Sequence, residues 1–148
     1  MNVFIDAAAL WACNAPGWDA WCAALRGDTP ALAIKPNPSL LSANERRRAS
    51  DSVLLATCVA EQAVRASGRD ASRLASVFTS AHGDLPITDA LCTQLAQAPL
   101  QLSPTRFHHS VHNAASGYWA IGSGSHAAST ALAAFVHSFA AGLLEAAC

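Results

Sequence analysis

The side chains able to do chemistry crowd into the last third of the chain. Five of the six histidines (His108, His109, His112, His126 and His137) fall between Ser103 and Cys148. His108-His109-Ser110-Val111-His112 reads H-H-x-x-H. On a helix, His108 and His112 would share a face able to chelate one metal. The zincin form of the motif needs a Glu beside its first His, and here that neighbour is His109. With no acidic third ligand nearby in sequence, the pattern predicts one buried, hydrogen-bonded histidine and others at the surface. Gly122-Ser123-Gly124-Ser125 could cradle a phosphate ahead of a helix, but it lacks the Lys that a P-loop requires. Its glycines predict close backbone packing instead. Ser123, Ser125 or Ser129 with His126 would suggest a serine hydrolase, yet the G-x-S-x-G elbow is missing its last Gly.

A second arrangement lies just beyond. Ser129-Thr130-Ala131-Leu132 favours a strand, and Ala134 to Ala147 a helix, after a Gly/Ser segment that resembles an N-cap. A strand that turns sharply into a helix is where many enzymes present a nucleophile. Here the turn carries Ala133, Ala134, Phe135 and Val136, none of which can attack a carbonyl. His137 falls just inside the predicted helix. Cys148 cannot substitute, since it stands roughly 20 Å down that helix at 1.5 Å per residue. The five cysteines (Cys13, Cys22, Cys58, Cys92, Cys148) form no C-x-x-C. An odd count without an export signal predicts reduced, mostly buried thiols in the cytoplasm.

These groups need elements to position them. Val3-Phe4-Ile5 reads as a first strand. Trp18, Trp21, Cys22 and Leu25 repeat at i, i+3, i+4, i+7, which predicts a helix over 18–25. Pro30, Pro36 and Pro38 keep 29–39 irregular. Ser42 and Glu45 form a capping box. Asp51 is expected to cap a helix from Ser52 to Ser67, closed by Gly68. Arg46-Arg47-Arg48 reads as a solvated face, with a docking spot for an acidic carrier protein as the functional alternative. Leu74 to Ser80 favours a strand, and a helix should run from Pro86 to Ala98. Residues 99–113 read as a long connection, of a length usually functional or partner-bound. A further helix, strand and helix complete an alternating α/β order.

The bulk properties agree with a single domain of 148 residues. A net charge of −1 gives no electrostatic case for nucleic acid or an anionic membrane. No run of about 18 strongly apolar residues predicts a membrane span, and the first residues lack the basic region of a signal peptide. Yet 52% of residues are hydrophobic and only 13% charged, which suggests a chain paired with another.

The stretch SPTRFHHSVHNAASGYWAIGSGSHAAST followed by SFAAGLLEA, with PSLLSANERRRASDSVLLATCVAEQAV and SVFTSAHGD upstream, resembles the ketoacyl-synthase-like chain-length-factor proteins of aryl polyene and related pigment clusters. SVHNAASGYWAI is its most specific part. The resemblance covers nearly the whole chain. It implies an α/β fold, the N-terminal half of a thiolase-like fold with α-β-α layers. That domain would occupy 1–148 and be shortened before its last strand. Catalytic relatives carry a nucleophilic cysteine near where Ala134-Phe135-Val136 stand, so the resemblance places a lost-nucleophile position near Phe135. It implies a non-catalytic subunit that pairs with an active ketoacyl synthase, or with itself, in fatty-acid or polyketide-type elongation. Acyl carrier protein would be met indirectly, and neither cofactor nor metal is implied. Candidates to line an acyl tunnel are Phe107, His112, Asn113, Tyr118, Trp119 and Phe135, although ordinary core packing explains any one aromatic equally well. Candidates for the subunit interface are Ser129, Thr130, Ala131, Leu132, Ala133 and Ala134. The other readings are a small metal- or Ser/His-dependent enzyme acting on thioesters, and a degenerate structural protein.

Overall fold

The computed structural model describes residues 2–12, 15–28, 35–98 and 101–148. Helix α1 spans Trp18–Leu25, where the apolar spacing placed it. In α2 (Ala43–Arg48) the Ser42 hydroxyl accepts the Glu45 N–H at 3.2 Å, one half of the expected capping box. Helix α3 runs Asp51–Ser67 and ends on Gly68 in the left-handed conformation. Its cap is Ser50 rather than Asp51: the Ser50 hydroxyl accepts the Val53 N–H, and Asp51 becomes the first helical residue. A 3-10 turn at Ala71–Arg73 leads into strand β1, Ser76–Thr79, shorter than the predicted run. Helix α4 spans Leu85–Gln97, capped by Asp84. Then follow α5 (Pro104–His109), α6 (Ala114–Ser123), β2 (Ser129–Leu132), a 3-10 turn at Phe135–His137, and α7 (Ser138–Ala147).

Three further expectations are corrected. Val3-Phe4-Ile5 forms no strand: the three side chains are 61%, 82% and 79% exposed, and a β-favouring run needs a neighbouring strand to pair with. Asp6, next in the chain, is tied to the Arg69 guanidinium at 2.6 Å. The 99–113 connection holds a helix, α5, started by the Ser103 cap and Pro104 in its first turn. The Gly/Ser segment closes a helix instead of opening one, with Gly124 at φ 67 as the α6 cap.

The strands pair in parallel, from Ser76 opposite Ser129 to Thr79 opposite Leu132. Parallel neighbours need a long crossover, and α4, α5 and α6 supply it. Successive strand residues face opposite sides of a sheet. Phe78 meets Trp119 of α6, ring centroids 6.4 Å apart, while the Thr79 side chain abuts Gly142 of α7. Helices therefore cover both faces, giving the expected α-β-α layering, with α3 packed on α6.

The core sits between α3, α6 and the turn before α2. Leu41, Val53, Leu54 and Tyr118 are buried together. Gly122 of α6 lies so close to that turn that a Cβ would stand 2.6 Å from Leu40 Cδ2 and 2.9 Å from Leu41 Cδ2. The expected close packing thus holds at Gly122. Glu61 of α3 fixes the same turn by accepting the Ser39 N–H at 2.8 Å and the Leu40 N–H at 3.3 Å. Among the described residues no helix is long and apolar enough to cross a membrane.

Candidate functional site

Two parallel strands end side by side, so the loops after them meet at one edge. In open α/β sheets this carboxyl edge is where ligands bind. The loop after β2 is an elbow. Phe135 has φ +48, and it is the one non-glycine residue with positive φ among those described. For a bulky side chain that conformation costs roughly 1–2 kcal/mol, so the surroundings must hold it. The buried Ser138 hydroxyl accepts the Ala134 N–H at 3.0 Å and donates to the Phe135 carbonyl at 2.7 Å. The His137 N–H donates to the Ala134 carbonyl at 2.9 Å. From the loop after β1, the His82 ring stands edge-on to the Phe135 ring, centroids 5.3 Å apart at 71°.

Helix α7 starts directly behind this elbow with no side-chain cap; His137 stands at its N-cap position rather than inside it. A thiolate or oxyanion here would be stabilised by the helix end and its free N–H groups. The turn supplies no group to exploit that.

Two clefts open beside the loop after β1. One, of about 590 Å³, is lined by Ser50, Ser52, His82, Asp84 and Leu85 among others. The second, of about 320 Å³, is lined by Val53, Leu55, Phe78, His109 and His112 among others. Asp84 belongs to both. Its carboxylate accepts the Ser52 hydroxyl at 2.6 Å and the Ile87 N–H at 3.2 Å, joining the first turns of α3 and α4. Burial opposes its ionisation, but these hydrogen bonds prevail and hold the carboxyl below the usual aspartate range.

The sequence-predicted residues are partly assembled here. His112 Nε2 lies 3.0 Å from the Ser80 carbonyl, at the end of β1. Asn113 stands at the N-cap position of α6, where its backbone carbonyl accepts the Gly117 N–H and the Ser116 hydroxyl. Tyr118 and Trp119 are interior, 5% and 3% exposed, and belong to the packing of α3, α6 and β1. Phe107 is exposed on α5. Ser129–Leu132 pair with β1 on one edge, and among the described residues their other edge has no ladder partner. His82 was missed in the sequence; its only signal was a position in the turn after a strand.

Among the described residues, the side chains that the alternative chemistries would use are not brought together. Helix α5 ends at His109, so His108 and His112 do not share a helical face. His109 is the buried histidine: its Nε2 lies 3.5 Å from the Tyr118 hydroxyl, while Nδ1 meets no hydrogen-bond partner among the described residues. Burial, then the neighbouring His108, push it below the usual histidine range. Ser123 donates to the Trp119 carbonyl at 2.7 Å, Ser125 to Leu74 at 3.4 Å, and Ser129 pairs with Ser76 at 2.8 Å, none with His126. Arg46 is not simply solvated, because its guanidinium clamps the Pro38 and Leu41 carbonyls. The expectation of mostly buried thiols fails at Cys92 and Cys148, which are exposed; Cys58 is buried and its thiol pushed up by that burial. Cys13 lies outside the described residues.

Residues 18–148 match the family described as beta-ketoacyl synthase, N-terminal domain, and the chain belongs to that family. Its fold is the N-terminal part of the thiolase-like ketosynthase fold. Among solved structures it is similar to one chain of the complex between the ketosynthase ApeO and its chain length factor ApeC from Xenorhabdus doucetiae. That likeness has a TM-score of 0.67 and 28% identity, and covers 90% of this chain and 57% of that one. This chain therefore spans little more than half the length of the solved relative. No curated protein matches it.

Proposed function

We propose that this protein is a non-catalytic, chain-length-factor-like domain, folded as one unit over 1–148, that pairs with an active ketosynthase during aryl polyene-type or related chain elongation. The observation that carries the reading is the elbow at Phe135. A strand, a left-handed turn and a helix follow one another there, and on this reading the phenyl ring and alanines stand where catalytic relatives would carry the nucleophile. The partner's cysteine would then hold the acyl group, and this chain would shape the space the group grows into. Phe135 and His112 are the tunnel candidates that lie beside the strand ends, and the 320 Å³ cleft offers Val53, Leu55 and Phe78 as apolar wall.

The unpaired edge of β2 is the proposed seam to the partner, since an edge without charge or proline is a template for another strand. Arg47 and Arg48, exposed on α2, are the side chains proposed to meet an acidic carrier protein. The pair would work in the cytoplasm. Co-expression of the chain with a catalytic ketosynthase from the same organism tests this. A stoichiometric complex that survives gel filtration is expected. Separate elution of the two, each folded, would refute the pairing.

A further inference from the structure

We draw no further inference here: the strongest candidate, the exposed apolar face formed by Phe139, Leu143 and Leu144 of α7 beside the extended Val3-Phe4-Ile5 segment, carries nothing because nothing in the structure shows what covers it.

Discussion

Phe135 concentrates the tension between fold and chemistry in one residue. Its backbone sits where glycine is at ease and a side chain is strained. The residue is 62% exposed, held by the Ser138 hydroxyl through the backbone and by a T-shaped contact between its ring and that of His82. Phe135→Ala keeps the strain and loses the ring, whereas Phe135→Gly relieves the strain. The glycine variant should be more stable than the alanine variant by about 1 kcal/mol, read from urea unfolding midpoints. Equal midpoints would mean that the elbow is not left-handed in solution.

His109 sets a second expectation at this scale. Its folded-state proton affinity is depressed, so the unfolded chain binds a proton that the native chain refuses. Stability should therefore be full above the ordinary histidine value of 6.5 and fall as pH drops through and below it. His109→Gln should flatten that slope in denaturation series at successive pH. Asp84 acts lower: its stabilisation is present above the ordinary 3.8 and fades as pH falls through its depressed native value. Asp84→Asn should remove this acid limb and leave the histidine limb in place.

Among the elements, the contact of α7 with β1 decides whether the elbow stays aligned with the strand ends. Gly142 makes it possible, because a Cβ there would collide with Thr79 Cγ2. Alanine would gain about 1 kcal/mol of helix propensity, but overpacking at such a contact costs roughly 1–3 kcal/mol. Gly142→Ala should thus be net destabilising by thermal or chemical unfolding. In a Thr79→Ser background, which removes the offending methyl group, the cost should largely vanish. An unchanged penalty would mean that the Thr79 methyl group is not what Gly142 makes room for.

The elements themselves were mostly legible in the sequence. Trp18–Leu25 announced itself by period, α3 by its closing glycine, and β2 by its residues. What escaped was set by tertiary context. Val3-Phe4-Ile5 has strand composition and no partner strand, α5 is too short for a periodic signal, and Gly124 reads equally as the end or the start of a helix. The site was legible only in part. That Ala133 to Val136 hold no nucleophilic side chain could be read directly, but the pairing of His82 with Phe135 joins loops 53 residues apart through the parallel register of β1 and β2. No local pattern encodes that distance.

As a whole, the molecule is a layered α/β domain with little charge and much apolar surface. Val136, Phe139, Leu143 and Leu144 are 74%, 76%, 52% and 67% exposed along and just before one helix. A helix apolar on more than one face is ordinarily buried on more than one face, and here only the side toward the sheet is covered. Glu145 is the one charged side chain of α7, whereas the short α2 carries Glu45, Arg46, Arg47 and Arg48. That leaves an apolar face of α7 open among the described residues.

The central claim is that acyl transfer belongs to the partner. Intact-mass spectrometry of the co-purified pair, after exposure to an acyl-carrier thioester, reads this directly. The predicted result is an acyl mass on the ketosynthase chain and none on this one; an acyl mass on this chain, surviving denaturation and lost on hydroxylamine treatment, would contradict it.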